Sequence, residues 1–93
     1  MATDYDELTI QWEEDGQVVV EELDKVIIQK GVWCTVLYRF RQLDPKTGEF
    51  GPAKAALRRY QKSRGYYRKK DSINLSEKSA PLLVEKLREW FDL

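Results

Sequence analysis

Residues 32–42 read VWCTVLYRFRQ, and two kinds of side chain alternate along them. Neighbouring side chains of a β-strand point to opposite faces, so this alternation predicts a strand with one buried and one open face. The apolar face comprises Val32, Cys34, Val36, Tyr38 and Phe40. The opposite face comprises Trp33, Thr35, Leu37, Arg39 and Arg41. We therefore expect a long strand of an antiparallel sheet whose open face carries arginine and tryptophan.

Two later segments show the same alternation. In residues 53–62, Ala53, Ala55 and Leu57 oppose a polar set of Lys54, Arg58, Tyr60 and Lys62. This segment is rich in good helix formers, so a short helix is an alternative to a strand. The flanking Pro52 and Gly65 favour the strand. In residues 66–75, Tyr66, Arg68 and Lys70 share one predicted face, and Tyr67, Ile73 and Leu75 share the other.

Positive charge concentrates in residues 32–70, where eleven basic residues are opposed by two acidic ones, a balance of 11 − 2 = +9. If the three strands are neighbours, their open faces form one continuous basic and aromatic surface. Its members are Trp33, Arg39, Arg41, Lys54, Arg58, Tyr60, Lys62, Tyr66, Arg68 and Lys70. Such a surface can follow phosphates while its rings stack on unpaired bases. The alternative is that these charges are only the solvated side of an antiparallel sheet.

The N-terminal part of the chain has the opposite charge. Residues 1–31 contain nine acidic and two basic residues, a balance of 2 − 9 = −7. Residues 8–23 are expected to form a hairpin. Apolar and polar residues alternate from Leu8 to Glu13, Asp15-Gly16 is typical of a tight turn, and residues 18–20 are a β-branched return strand. We expect residues 1–24 to form an acidic hairpin, which is a candidate docking face for a protein partner. An alternative is that this acidic arm lies across the basic face and competes with polyanions.

The rest of the chain completes one predicted domain of 93 residues. Residues 25–75 should form the antiparallel sheet, with a further short strand at residues 25–29, and residues 76–93 the C-terminal helix. The apolar stripe of this helix recurs at i, i+4, i+7 and i+8, namely at Leu83, Leu87, Trp90 and Phe91. Ser76 or Ser79 can cap its first turn. We expect the helix to cover the apolar face of the sheet, and a dimer contact through the same stripe is the alternative.

The composition argues against enzyme chemistry. The chain has no histidine, so Ser/His and Cys/His nucleophile systems are excluded, and no glycine-rich phosphate loop is present. The paired carboxylates are expected to be solvated charge, and we predict no catalytic residue, metal or cofactor. The single Cys34 suits a reducing compartment. Without a bilayer-spanning apolar run or a signal peptide, the sequence predicts a cytoplasmic protein.

Several short motifs carry a resemblance to a known family. They are Val36-Leu37, Arg41, Asp44-Pro45, Gly48-Glu49 and Ser72-Ile-Asn-Leu-Ser76, followed by the helix. With the order of strands before one C-terminal helix, the chain resembles the single-stranded DNA-binding transcriptional coactivators known as positive cofactor four. It is more similar still to small proteins of photosynthetic bacteria with that fold. The match covers roughly residues 25–93.

The resemblance implies an α+β fold with a curved four-stranded antiparallel sheet and one C-terminal helix, paired as a homodimer through the helices. It also implies that the sheets bind unpaired DNA or RNA, with Arg39, Arg41, Arg68 and Lys70 at contact positions. Residues 53–67 are longer than the corresponding connection of the family, and the acidic hairpin lies outside the match. We therefore expect a binding module for single-stranded nucleic acid with little sequence preference, and the resemblance implies a role in regulating transcription. A module for protein–protein contacts is the alternative.

Overall fold

The computed structural model describes residues 2–93, which form a curled antiparallel sheet followed by one helix. The strands are β1 (Trp12–Glu14), β2 (Gln17–Gln29), β3 (Trp33–Gln42), β4 (Lys54–Ser63) and β5 (Tyr66–Leu75), and the helix is α1 (Ala80–Phe91). Each strand pairs with its neighbour in sequence, in the order β1-β2-β3-β4-β5. The predicted α+β class is confirmed. The sheet has five strands rather than the four that the family resemblance implies.

Two tight turns fix the ends of this sheet. Asp15 and Gly16 have φ angles of 50° and 79°, and Arg64 and Gly65 have φ angles of 54° and 82°. A two-residue hairpin whose central residues both have positive φ matches the right-handed twist of its strands. The predicted Asp15-Gly16 turn is therefore confirmed, and Arg64-Gly65 forms the same kind of turn between β4 and β5.

The long β2 and the strand β4 resolve two points that the sequence left open. The expected strands at residues 18–20 and 25–29 are one strand, β2, with pairing irregularities beside Leu23 and Ile28. Residues 54–63 form a strand and not the alternative helix. Pairing with β3 on one side and β5 on the other outweighs the helix propensity of the alanines.

The buried side of the sheet is called the inner face here, and the opposite side the outer face. On β3 the inner face carries Cys34, Val36, Tyr38 and Phe40, each at most 2% exposed. These are four of the five residues that the alternation assigned to the apolar face. The fifth, Val32, precedes the strand and is exposed.

The N-terminal segment 2–11 covers the inner face. Leu8 and Ile10 are buried in the same core cluster as the apolar residues of β3. At one end of the segment the carbonyl of Ala2 accepts a hydrogen bond from the amide of Tyr67 on β5, at 2.9 Å. Further along, the Lys25 ammonium of β2 donates to the carbonyls of Asp6 and Leu8. The segment therefore closes the curled sheet from β5 to β2. The first strand of the expected hairpin is therefore shorter than predicted, because β1 begins only at residue 12.

Helix α1 has the predicted position but not the predicted role. Ser79 precedes its first turn, but the Ser79 hydroxyl bonds to Ser76 instead of capping the helix. No residue of α1 is buried, and none belongs to the core cluster. The expectation that α1 covers the apolar face of the sheet is wrong, because segment 2–11 occupies that place. Within residues 2–93, no helix is long and apolar enough to cross a bilayer.

Candidate nucleic-acid interface

The strand register separates the residues that the sequence placed on one surface. In the β3–β4 ladder, Trp33 lies opposite Gln61, and Cys34 lies opposite Tyr60. Side chains of directly opposed residues share a face. Because Cys34 is buried on the inner face, Tyr60 belongs to that face too. The polar set of β4 therefore faces inward, while Trp33 and its companions on β3 face outward.

The pairing between β4 and β5 contains an irregularity that changes which residues of β5 share a face. The register shifts between Arg59 and Tyr60, which leaves Lys70 as the extra residue between Lys69 and Asp71. A bulge of this kind resets the alternation of the strand. The inner position of Tyr67 and the outer position of Ile73 follow from it. The predicted shared face of Tyr67, Ile73 and Leu75 is therefore wrong.

The ten predicted surface residues consequently fall into three groups. The outer face carries Trp33, Arg39, Arg41, Tyr66 and Arg68. The inner face carries Lys54, Arg58, Tyr60 and Lys62. Lys70 lies in the bulge. The ten residues therefore do not form one continuous surface. Alternation shows which residues of one strand share a face, but only the register shows which faces of neighbouring strands lie on the same side of the sheet.

Tyr60 is part of the core and not of an exposed binding surface. It is 5% exposed, and its hydroxyl lies 3.0 Å from the hydroxyl of Tyr38. Burial, followed by the hydrogen bond to Tyr60, raises the pKa of Tyr38 far above its usual range. Tyr38 therefore stays neutral. In this structure the Tyr60 ring cannot stack on a base.

At the end of β3 near the loop 43–53, the positive charge of Arg41 is neutralised. The Arg41 guanidinium donates to both oxygens of Glu21, each at 3.2 Å, and lies 4.4 Å from the Phe50 ring centroid. Arg39 lies opposite Asp24 in the ladder. A phosphate arriving at this end of the outer face would compete with two carboxylates.

The opposite end of the outer face combines exposed rings with unpaired charge. Trp33, Gln61 and Arg68 lie side by side on three neighbouring strands, and Tyr66 pairs with Ser63 beside them. Trp33 is 39% exposed and Tyr66 is 40% exposed. We call this set, together with the basic side chains of residues 62–70, the hairpin patch.

The hairpin patch is strongly basic. Residues 62–70 contain Lys62, Arg64, Arg68, Lys69 and Lys70 and no acidic residue, a charge of +5. All five are exposed. Within residues 2–93, the ion pairs are Arg41–Glu21, Arg59–Asp71 and Lys86–Glu89, and none of them involves these five residues. Their charge remains available to an anionic ligand.

Arg59 is a residue of this region that the sequence analysis missed. Its guanidinium carbon lies 4.5 Å from the Trp33 ring centroid, and its Nε donates to Asp71 at 2.8 Å. Strict alternation groups Arg59 with Ala55 and Leu57, and only its pairing with Thr35 places it on the outer face. The contact holds one side of the Trp33 ring in position.

The arrangement can provide stacking and phosphate contacts together. Two half-exposed rings lie at the end of a basic two-stranded ribbon, and the adjacent Gln61 amide can form hydrogen bonds with polar groups. Rings that stack on bases and side chains that neutralise phosphates are the parts of a single-strand binding surface. No known protein family, curated protein or solved structure matches this chain.

Proposed function

We propose that this protein binds single-stranded DNA or RNA through the hairpin patch, with little sequence preference. The observation that carries the proposal is the row Trp33–Gln61–Arg68 beside a run of five unpaired basic residues. The charge of this run acts locally, so the zero net charge of the whole chain does not oppose it. No catalytic step is part of the proposal.

The preference for a single strand follows from the exposed rings. Neighbouring strands lie about 4.8 Å apart, so Trp33 and Arg68 are separated by about 10 Å. A base stacked on Trp33 can therefore have its own or the next phosphate near Arg68. In a duplex the faces of the bases are covered by their neighbours, so only the charge contacts remain.

The likeness to positive cofactor four and the homodimer belong to the same proposal. A curled antiparallel sheet followed by one helix supports the likeness, and the fifth strand departs from it. The exposed stripe Leu83, Leu87, Trp90 and Phe91 supports a dimer contact through α1. The buried, unpaired Cys34 fits the reducing cytoplasm as the place of action.

A protein partner at the acidic hairpin is the second candidate. Trp12 on β1 is 59% exposed, and its ring nitrogen donates to Glu14 at 3.3 Å. Glu13, Glu14 and Asp15 surround it with negative charge. Exposed tryptophans are frequent anchors of protein interfaces. Capture of a basic protein from nuclease-treated extract, lost in Trp12→Ala, would favour this candidate.

The test is a titration of a labelled single-stranded oligonucleotide, followed by fluorescence anisotropy at several salt concentrations. Duplex DNA of the same sequence is the control ligand. We expect the single strand to bind more tightly than the duplex, with affinity that falls steeply as salt rises. Absence of binding at low salt would overturn the proposal.

A pair of charge-reversal variants locates the site. In Arg68→Glu/Lys70→Glu we expect weak binding and a salt slope shallower by about two. The matched control Lys46→Glu/Lys78→Glu changes the net charge equally but lies outside the hairpin patch. Equal losses in both variants would show that only net charge matters and would contradict the assigned site.

A further inference from the structure

The outer face has a second region that the nucleic-acid proposal does not use. Val26, Leu37, Leu57 and Ile73 are directly opposed across four strands, from β2 to β5. Val26 and Ile73, at the two ends of this row, are 49% and 58% exposed. Four aligned apolar side chains on the open side of a sheet form a patch that water solvates poorly. We call it the apolar row.

Charged pairs border the apolar row on both sides. The Arg59–Asp71 ion pair lies two ladder positions away, towards the hairpin patch. Asp24 and Arg39 are opposed two positions away in the other direction. An apolar centre with a polar rim is the usual composition of a protein–protein interface. The ion pair also separates this region from the hairpin patch, so both can be occupied together.

The apolar row continues into a groove that leads to α1. A groove of about 420 Å³ is lined by Val26, Leu37, Ala55, Leu75 and Ala80, among others. A second groove of about 420 Å³ extends from Leu75 along the helix and is lined by Leu82, Leu83 and Trp90. The two grooves share Leu75. Sheet and helix therefore present one continuous apolar surface.

Helix α1 of the same chain carries exposed apolar side chains, which we call the ridge. Trp90 is 70% exposed and Phe91 is 67% exposed, and Leu82 is also exposed. These side chains find no core site in their own chain, because the inner face is filled by segment 2–11. A single chain thus shows both an apolar groove and an apolar ridge without an occupant for either.

We propose that a second copy of this chain covers this surface, with α1 of each copy lying across the apolar row and groove of the other. A two-fold dimer needs one surface that is complementary to itself, and a chain that carries both a groove and a ridge meets that condition. A foreign partner would occupy the groove without explaining why the ridge on the same chain is also uncovered.

The dimensions agree with this arrangement. The 12 residues of α1 span about 18 Å, and four neighbouring strands span about 14 Å. An interface of standard size buries about 800 Å² per partner. Eight large apolar side chains of α1 and the apolar row are exposed and available for such an interface. The helix half of this interface follows from the sequence, and the sheet half follows only from the register.

Sedimentation equilibrium of the full chain tests the proposal. The chain has a mass of 11.0 kDa, and we expect the wild type to sediment as a dimer of twice that mass. Trp90→Glu and Ile73→Glu, one on each half of the surface, should each raise the dimer dissociation constant roughly 30-fold or more. Trp12→Glu and Val32→Glu place the same charge at exposed apolar sites elsewhere and should leave the dimer unchanged. A monomeric wild type at high concentration would overturn the proposal.

Disulfide trapping distinguishes the reciprocal arrangement from helix-to-helix pairing alone. Ile73→Cys protein and Trp90→Cys protein are mixed and oxidised, with the buried Cys34 of each chain left in place. A heterodimer linked between positions 73 and 90, formed faster than either homodimer, supports docking of the helix on the sheet. Homodimers of Trp90→Cys alone would contradict it. Neither measurement involves nucleic acid, so its result is independent of the proposed nucleic-acid binding.

Discussion

The guanidinium of Arg59 lies between the Trp33 ring, whose centroid is 4.5 Å from Cζ, and Asp71, which accepts a hydrogen bond from Nε at 2.8 Å. Arg59 and Asp71 are both more than half exposed. An exposed pair of this kind contributes about 0–1 kcal/mol to stability. Its main effect is electrostatic, because Asp71 withholds one positive charge from the hairpin patch.

Replacement of Asp71 by asparagine should therefore strengthen nucleic-acid binding. The released Arg59 can approach a phosphate, so we expect a higher affinity and a salt slope steeper by up to about one. Anisotropy titrations at several salt concentrations measure both quantities. Glu89→Gln, which removes the Lys86 pair on α1, is the matched control. A lower affinity in Asp71→Asn would contradict a phosphate-binding role for this region.

Trp33→Ala should weaken binding of the single strand more than binding of the duplex. A ring that stacks on a base contributes about 1–3 kcal/mol, and a duplex offers it no free base. Trp12→Ala removes an exposed tryptophan at the other end of the sheet and should leave the affinity unchanged. Equal effects of the two substitutions would exclude stacking on Trp33.

Substitutions of Tyr38 and Tyr60, whose buried hydroxyls contact each other, should have non-additive effects on the free energy of unfolding. Either Phe substitution leaves one buried hydroxyl without its partner, which costs about 1–3 kcal/mol. In Tyr38→Phe/Tyr60→Phe both hydroxyls are gone, so the double variant should be more stable than the sum of the single losses predicts. Urea denaturation of the wild type, the two single variants and the double variant completes this double-mutant cycle. Additive losses would show that the two hydroxyls do not interact.

Stability should fall at alkaline pH. Burial raises the pKa of Cys34 above 9.0, and burial with the Tyr60 hydrogen bond raises the pKa of Tyr38 above 10.0. The folded state therefore holds these protons more tightly than the unfolded state does. Their contribution is complete below pH 9 and is lost as the pH rises beyond 9 and then 10.

Urea denaturation between pH 8 and pH 11 checks this expectation. In Tyr38→Phe the decline above pH 10 should be shallower than in the wild type, by up to about 1.4 kcal/mol per pH unit. All other side chains are the same in both proteins, so the comparison cancels their effect. Parallel declines would mean that Tyr38 does not contribute to the pH dependence.

The N-terminal segment should be essential to stability. Leu8 and Ile10 are 6% and 4% exposed, although neither lies in a strand. We expect Leu8→Ala or Ile10→Ala to lower the free energy of unfolding by about 2–4 kcal/mol. Val32→Ala, at an exposed site, should change it by no more than about 0.5 kcal/mol. A small effect of Leu8→Ala would indicate that the segment is only loosely held.

Local patterns in the sequence predicted the elements well. Alternation located β3, β4 and β5, the Asp15-Gly16 pair located a turn, and the apolar stripe located α1. Each of these signals depends on residues close together in the chain. Burial of the β3 face from Cys34 to Phe40 was predicted for the same reason.

The candidate site was only partly predictable, because it depends on register. The pairing between β3 and β4 decides that Gln61, and not Tyr60, shares a face with Trp33. The bulge at Lys70 then changes which residues of β5 lie on that face. The sequence analysis also assigned α1 to cover the inner face, which segment 2–11 covers instead. Leu8 and Ile10 alternate like strand residues, and no local signal distinguishes a strand from an extended segment that fills a core.

The hydrogen bond between Ala2 and Tyr67 joins residues that are 67 − 2 = 65 positions apart. A ribosome makes segment 2–11 well before β5, so the hydrogen-bond partner of Ala2 becomes available only late in the synthesis of this domain. Throughout most of synthesis Leu8 and Ile10 therefore lack their final cover, and the apolar side chains of β3 lack theirs. Segment 2–11 can therefore complete its native contacts only after β5 has been made.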